Sequence, residues 1–137
     1  MRRLLASLCL PACAFALAAC GTTPATSTSA FSGTKRAVAE RIASFQSDAS
    51  SSEQKKICAN DLAAALIARL GGTKGCEAAL KTQLGEVDNP ELAIESVQLT
   101  ADGKSATATV KSVREGKSSP GKLQLVKEAG GWRISGL

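Results

Sequence analysis

Cysteine is the residue type in this chain that is best placed to do chemistry. The 137 residues include five cysteines, at positions 9, 13, 20, 58 and 76, and no histidine or tyrosine. A cysteine nucleophile needs a neighbouring base, most often histidine, and a metal site needs more soft ligands than two cysteines provide. Lipid attachment and disulfide formation are therefore the two cysteine reactions that this sequence favours.

The first 19 residues have the three parts of a secretory signal peptide. Two arginines follow Met1, residues 4–17 carry no charge and are mostly apolar, and two alanines come directly before Cys20. The apolar run is shorter than the about 20 residues that a membrane-spanning helix needs, and Pro11 interrupts it. We therefore expect an exported protein from which residues 1–19, with Cys9 and Cys13, are removed.

The four residues Leu17-Ala18-Ala19-Cys20 match the lipobox pattern at every position. The segment resembles the signal of bacterial lipoproteins, which implies that Cys20 receives a diacylglyceryl thioether and becomes the acylated amino terminus. Two or more acyl chains anchor a protein stably, whereas one chain of about 14 carbons binds only marginally. The resemblance implies anchoring to the outer face of the bacterial cell membrane or to the outer membrane. The alternative is an ordinary secretory signal in which Cys20 follows two alanines by chance.

Residues 20–34 are expected to form a tether between this lipid anchor and a folded domain over residues 35–137. Positions 21–34 carry no charge, and eight of them are serine or threonine. A stretch of this composition buries too little apolar surface to offset the entropy of ordering. Its root-mean-square reach is about 20 Å by the flexible-chain estimate, which places the domain near the bilayer.

The composition of the domain predicts a modest core and favours a covalent crosslink. From Lys35 onward the only aromatic residues are Phe45 and Trp132, and small side chains bury less apolar area apiece. Cys58 and Cys76 lie 18 residues apart and flank an apolar stretch that ends at Gly71-Gly72. Because an exported location favours oxidation, we expect a Cys58–Cys76 disulfide. The alternatives are two separately buried thiols, or one thiol that serves as a nucleophile without a histidine beside it.

Before Pro90, apolar residues repeat at helical spacing in three stretches, residues 34–49, 62–70 and 75–84. We expect Thr34 to cap the first helix, Asn60-Asp61 to cap the second and Gly71-Gly72 to end it. Residues 53–58 fit either a short helix or an irregular entry. The expected core-facing residues are Val38, Ile42 and Phe45, then Leu62, Leu66 and Leu70, then Ala79 and Leu80.

After Pro90 the apolar period changes to two, which is the period of strands. Leu92 and Ile94 are out of phase with Val97 and Leu99, as a β-bulge would require, and Asp102-Gly103 is a hairpin signal. Further strands are predicted over residues 106–110, 123–127 and 132–135, with a loose loop around residues 118–121. The sequence thus predicts an α+β fold, in which short N-terminal helices pack on a curved four-stranded antiparallel sheet.

This order of helices, hairpin and a closing Gly-Gly-Trp-Arg-Ile-Ser strand resembles small exported proteins of the NTF2-like superfamily. The motif matches are Trp132 and Ile134 in the last strand, and the resemblance implies a cone formed by a bent sheet around helices. A cystatin-like sheet on one helix has a similar length and strand order. NTF2-like enzymes commonly hold Asp with His or Tyr at the mouth of the cone, and this chain has neither His nor Tyr.

Charge is unevenly distributed along the domain. Residues 35–103 carry a net charge of −2 and residues 104–137 a net charge of +5. These basic residues either present a basic sheet edge to anionic lipid or an acidic partner, or keep exposed strands soluble, and the second interpretation is favoured. Nucleic acid is not an expected partner of an exported chain without interleaved aromatics. The basic residues after position 103 are Lys104, Lys111, Arg114, Lys117, Lys122, Lys127 and Arg133.

These observations favour a membrane-tethered, non-catalytic binding module for a small apolar ligand or an envelope protein. An accessory lipoprotein that docks to another protein without a ligand pocket is the alternative. No cofactor, metal or catalytic residues are predicted, and nothing in the sequence pairs the carboxylates of Asp48, Asp61, Glu77 and Glu95. Trp132 is expected either to fill the core beside Phe45 or to lie near the concave face of the sheet. A cavity of about 300 Å³ or more would favour a small ligand, and a filled core would favour docking.

Lipidation of Cys20 is the first testable prediction. A Cys20→Ser variant should lose the acyl mass seen by mass spectrometry and should move from the detergent phase to the aqueous phase. If the parent chain carries no acyl mass and both proteins partition into water, the anchor prediction is wrong.

Overall fold

A computed structural model of the chain describes residues 27–85, 91–114 and 116–137. The predicted α+β class is confirmed, because helices pack against a four-stranded antiparallel sheet. The expected signal peptide, Cys20 and the first part of the tether lie outside the described residues. The helical segments are α1 (Gly33–Ser50), α2 (Gln54–Lys56), a π-helical turn (Ile57–Asp61), α3 (Ala64–Arg69) and α4 (Gly72–Gly85). The strands are β1 (Glu91–Leu99), β2 (Ser105–Arg114), β3 (Lys117–Glu128) and β4 (Gly131–Gly136).

The sheet is a meander in the order β1-β2-β3-β4, with every neighbouring pair antiparallel. The phase slip seen in the sequence is a bulge, since the register between β1 and β2 shifts between Ile94 and Ser96. The Asp102-Gly103 turn joins these two strands, and Gly103 has a φ of 66°. A positive φ is a conformation that glycine adopts without the steric cost of a side chain.

The predicted loop around residues 118–121 is wrong, because those residues belong to β3. Ser118 to Gly121 pair with Val110 to Val113 of β2, and Pro120 lies opposite Lys111. β4 pairs with β3 only from Gln124 onward, so β3 is an edge strand where Pro120 sits. An edge strand tolerates proline, because the missing N–H removes no ladder hydrogen bond on the open side.

The core lies between the inner face of the sheet and the helices. Small residues make up much of it, including Ala39, Ala49 and Ala108, as the composition predicts. Within the described residues, no helix is both long and apolar enough to cross a membrane. The larger buried residues are Val38, Ile42, Ile57, Leu62, Val97, Val110, Leu123, Leu125, Trp132 and Ile134.

Both predicted N-caps are wrong. α1 begins at Gly33 after Ser32 instead of being capped by Thr34. Asn60-Asp61 does not cap α3, which begins at Ala64 after Ala63, because Asp61 is buried in the π-helical turn and its carboxylate contacts α1. The N–H of Ala64 is instead satisfied from a distance, by a 3.0 Å hydrogen bond to Oε1 of Glu128.

Residues 57–63, which we term the bridging segment, connect the helices to the sheet. Leu62 forms a parallel bridge with Ile134 of β4, and the N–H of Ala63 donates to the carbonyl of Ile134 at 2.8 Å. This contact covers part of the outer edge of β4. The same segment carries Cys58 and Asp61, which contact α4 and α1 respectively.

The junction between α3 and α4 depends on glycine. Gly71 and Gly72 have φ values of 88° and 80°, so the predicted helix end is confirmed, although α4 begins at Gly72 and not at Gly75. A methyl group at Gly75 would overlap the carbonyl oxygen of Leu70. Glycine at position 75 therefore allows the first turn of α4 to pack directly on the end of α3.

Cys58 and Cys76 form a disulfide in the structure, with their Cα atoms 6.1 Å apart. Both residues are buried, and the bond joins the bridging segment to the first half of α4. Since α4 packs mainly on α2, α3 and the π-helical turn, this covalent bond is one of a small number of connections that hold α4 in place.

Removing the disulfide should lower stability substantially. Closing a loop of this length stabilises a fold by about 3 kcal/mol in the chain-entropy model, so a Cys58→Ala/Cys76→Ala protein should melt about 10 °C or more below the parent. Calorimetry measures the change, and chemical reduction of the parent is the control for the loss of the sulfur atoms. Stoichiometric alkylation of both thiols in the unreduced native protein would contradict the pairing.

Candidate functional site

An apolar groove of about 210 Å³ lies among α1, α3 and α4. Seven of its eight lining residues are apolar, and Gln83 is the exception. Leu66 lies in α3 and Leu70 directly follows this helix, and α4 faces them across the groove. The lining residues are Phe45, Leu62, Leu66, Leu70, Ala79, Leu80, Gln83 and Leu137.

Six of the eight lining residues, all except Gln83 and Leu137, are residues that the sequence pattern assigned to the core. Of the predicted stripe Leu62, Leu66 and Leu70, only Leu62 is fully buried, and the other two are partly exposed. Leu80 is also only partly buried. An apolar stripe at helical spacing looks the same in sequence whether it faces a filled core or a surface groove, so only the structure separates the two.

The disulfide positions one wall of this groove. Ala79 and Leu80 follow Cys76 by three and four residues, which places all three on the same face of α4. The bond to Cys58 therefore fixes α4 close to the residues that line the groove. The contact of Gly75 with Leu70 fixes the opposite wall relative to the same helix.

A buried ion pair lies elsewhere on α1. Nη1 of Arg41 donates to Oδ1 of Asp61 at 2.7 Å, and the hydroxyl of Ser44 donates to the same oxygen at 3.3 Å. The Asp61 side chain has no exposed surface, and that of Arg41 is 22% exposed. Within the described residues, Oδ2 of Asp61 and Nε of Arg41 are buried without a hydrogen-bond partner.

Burial raises the pKa of Asp61 above its ordinary value, and the negative charge of Asp48 adds to this effect. The hydrogen bond and the charge of Arg41 oppose the rise in the pKa without cancelling it. A buried ion pair loses hydration of both charges, and one good contact does not always recover that cost. Arg41 follows Val38 by three residues and so lies beside the apolar stripe of α1. This position is the sequence signal for the contact between Arg41 and Asp61.

A second cleft, of about 260 Å³, lies beside this ion pair. One face of α1 supplies Ala37, Glu40, Arg41 and Ser44, and the start of β4 supplies Gly131 and Trp132. Trp132 is 5% exposed and belongs to the core, yet its edge borders this cleft and not the apolar groove. Asp61 already partners Arg41, and Glu40 pairs with Arg36 at 3.0 Å, so both charged groups of the cleft are engaged within the protein.

A third, shallow depression of about 370 Å³ lies between α2 and α4. Lys55, Lys74 and Lys81 surround it, together with Glu77. All three lysines are exposed. Exposed lysines of this kind interact weakly with anions in water, so this depression is less specific than the groove.

The basic residues after position 103 lie in different places, which does not favour the interpretation as one basic sheet edge. Lys111 pairs with Glu95 at 3.0 Å. Lys104 and Lys127 lie together at one end of the sheet, where the N–H of Lys127 donates to the carbonyl of Lys104. Arg133 donates to the carbonyl of Ala59. The described carboxylates form no group of three with a geometry suited to a metal ion. The apolar groove is therefore the candidate functional site.

Comparisons with known proteins do not assign a family. No family model and no curated protein matches the chain. Among solved structures, the intermembrane space region of the chloroplast protein ARC6 is similar, with a TM-score of 0.46 and 11% identity over 77% of this chain and 95% of that one. A similarity this remote assigns no function, and the NTF2-like resemblance stays a prediction.

The environment of Asp61 predicts a pH dependence of stability. Because its pKa is raised, the folded protein holds this proton more tightly than the unfolded chain does. The contribution of Asp61 to stability is thus present below the ordinary carboxyl pKa of about 4 and is lost as the pH rises through the raised pKa. In chemical denaturation between pH 3 and 7, an Asp61→Asn variant should gain stability relative to the parent as the pH rises.

Asp102 provides a matched control of opposite sign. The Thr100 hydroxyl and the N–H of Lys104 donate to its Oδ1 at 2.5 and 3.0 Å, and the Thr100 hydrogen bond lowers the pKa of Asp102 most. Its contribution is present above the ordinary pKa and is lost as the pH falls through the lowered value. An Asp102→Asn variant should therefore lose stability relative to the parent as the pH rises. The same slope in both variants would contradict the assignment.

Proposed function

We propose that this protein is an exported, lipid-anchored lipoprotein whose domain binds a small apolar group without catalysing a reaction. The observation that carries this proposal is the apolar groove, whose walls on α3 and α4 are fixed by the Cys58–Cys76 disulfide and the Gly75 contact. The lipobox at Leu17 to Cys20 supports the anchoring, and the uncharged tether supports a position near the bilayer.

The chemistry of the groove suits binding. An apolar group that enters it leaves water and contacts leucine and phenylalanine side chains, which is favourable by about 25 cal/mol per Å² of apolar surface buried. None of the lining residues has an ionisable side chain. General acid–base catalysis requires a titratable group within hydrogen-bonding reach of the substrate, so the groove supports binding and does not support catalysis.

Docking of an envelope protein is a second candidate, and the size of the groove favours it. A volume of about 210 Å³ is below the roughly 300 Å³ at which pockets for drug-sized ligands begin. The groove is also open along the surface, and Leu137 at its border is 81% exposed. These dimensions suit one short chain or one or two apolar side chains of a partner.

Filling the groove from α4 tests the proposed site. Ala79 lines the groove, whereas the adjacent Ala78 lies on the side of α4 that faces the lysine-lined depression. In the chain from residue 20 onward with Cys20→Ser, 1-octanol should shift the methyl NMR signals of Leu66 and Leu70. An Ala79→Phe variant should weaken this binding at least tenfold, and an Ala78→Phe variant should bind as the parent does.

A photo-crosslinking residue at position 79 or 78, introduced in cells, tests the docking candidate. A discrete crosslinked partner from position 79 and none from position 78 would support docking. If octanol does not bind and neither position gives a specific crosslink, the groove is not the functional site.

A further inference from the structure

We propose that the groove binds a single-chain acyl carboxylate of medium length, and that Arg69 is the partner of its carboxylate. This inference rests on the proposed function, because it names the class of ligand for the same groove. It adds a charged headgroup contact and a chain length to a site that is otherwise defined only as apolar.

The volume of the groove sets the length of the chain. A methylene group occupies about as much space as a water molecule in the liquid, roughly 30 Å³, and the groove has about 210 Å³. About seven carbons therefore fill it, and further carbons would extend into solvent along the open side. A chain of about eight carbons, with its carboxylate at the mouth, matches these dimensions.

Arg69 is next to the groove in the chain, although it is not one of the lining residues. It follows the lining residue Leu66 by three positions and precedes the lining residue Leu70. Its Nη2 donates to the carbonyl of Ser135 at 2.9 Å, and Ser135 is two residues before Leu137, which also lines the groove. The hydrogen bond to Ser135 thus holds the guanidinium at the end of β4, which leads to the lining residue Leu137.

The charge of Arg69 is available to a ligand. Among the described residues Arg69 forms no salt bridge, whereas Arg36 and Arg41 each pair with a carboxylate. No acidic side chain lines the groove. A guanidinium presents five N–H donors in a planar fork that matches a carboxylate, and the contact with Ser135 uses Nη2 alone.

A comparison of charged and neutral ligands of equal length tests the role of Arg69. The protein is again the chain from residue 20 onward with Cys20→Ser, titrated with octanoate and with 1-octanol and followed by NMR. In an Arg69→Gln variant the Kd for octanoate should rise about threefold to tenfold, and the Kd for octanol should stay within twofold of the parent. An Arg69→Lys variant, which keeps the charge, should recover part of the octanoate affinity.

Arg133→Gln is the matched control. Arg133 also donates to a main-chain carbonyl, that of Ala59 at 3.2 Å, so its substitution removes the same charge and the same type of hydrogen bond away from the groove. It should leave both Kd values unchanged. Across butanoate, hexanoate, octanoate and decanoate, affinity should rise about threefold to fourfold per methylene up to about eight carbons and then level off.

The outcomes separate this inference from the proposed function. If octanol binds and Ala79→Phe blocks it, but Arg69→Gln leaves octanoate unaffected or Arg133→Gln has an equal effect, the acyl carboxylate inference is wrong and the apolar site stands. A continuous rise in affinity up to decanoate would overturn the chain length. If neither octanol nor octanoate binds the folded parent protein, both the inference and the small-ligand form of the proposed function are wrong.

Discussion

The bridging segment, residues 57–63, is the part of the chain on which the arrangement of the other elements depends. Three different interactions leave it in three directions: the Asp61 carboxylate to α1, the Cys58 disulfide to α4 and the main chain of Ala63 to β4. They supplement a core in which five of the seventeen buried apolar residues described are alanines. A core of small residues gains less free energy from burial. Polar and covalent contacts therefore contribute more to the relative positions of the helices and the sheet.

This arrangement leaves the helical layer unevenly supported. α1 lies on the sheet and contributes Val38 and Ile42 to the core, whereas α4 contacts mainly other helical segments. The groove lies among α1, α3 and α4, between the helix that packs on the sheet and the helix that packs mainly on other helical segments. A groove stays open only if its walls do not collapse onto each other. The disulfide and the close packing at Gly75 fix the position of α4 relative to α3 and so keep the two walls apart. Stability and the candidate binding site are thus consequences of the same few contacts.

The distribution of charge supports the choice of the groove over the other surfaces. Arg36, Arg41 and Lys111 are paired with carboxylates of the protein itself, and the lysines around α2 and α4 are exposed. Arg69 and Arg133 differ, because main-chain carbonyls hold them while no described carboxylate forms a salt bridge with either. Of the two, only Arg69 is next in the chain to residues that line the groove. The proposed acyl carboxylate would pair with the charge of Arg69 and bury its chain in the groove.

The sequence by itself predicted most of the elements and their order, and it favoured the disulfide over the alternatives. The signals that succeeded are local, because each depends only on residues close together in the chain. They are the helical and alternating periods, the phase slip before Val97, the Asp102-Gly103 turn and the glycine pair at Gly71, and each has its counterpart in the structure. Long-range partners decided the rest. Asp61 follows the pattern of an N-cap but pairs with Arg41, 20 residues away, and Pro120 lies in a strand because β4 does not extend that far along β3. Leu66 and Leu70 line a groove instead of the core, because the position of α4 is set by the Cys58–Cys76 bond and the Leu70–Gly75 contact, and a local apolar pattern contains no information about that distance.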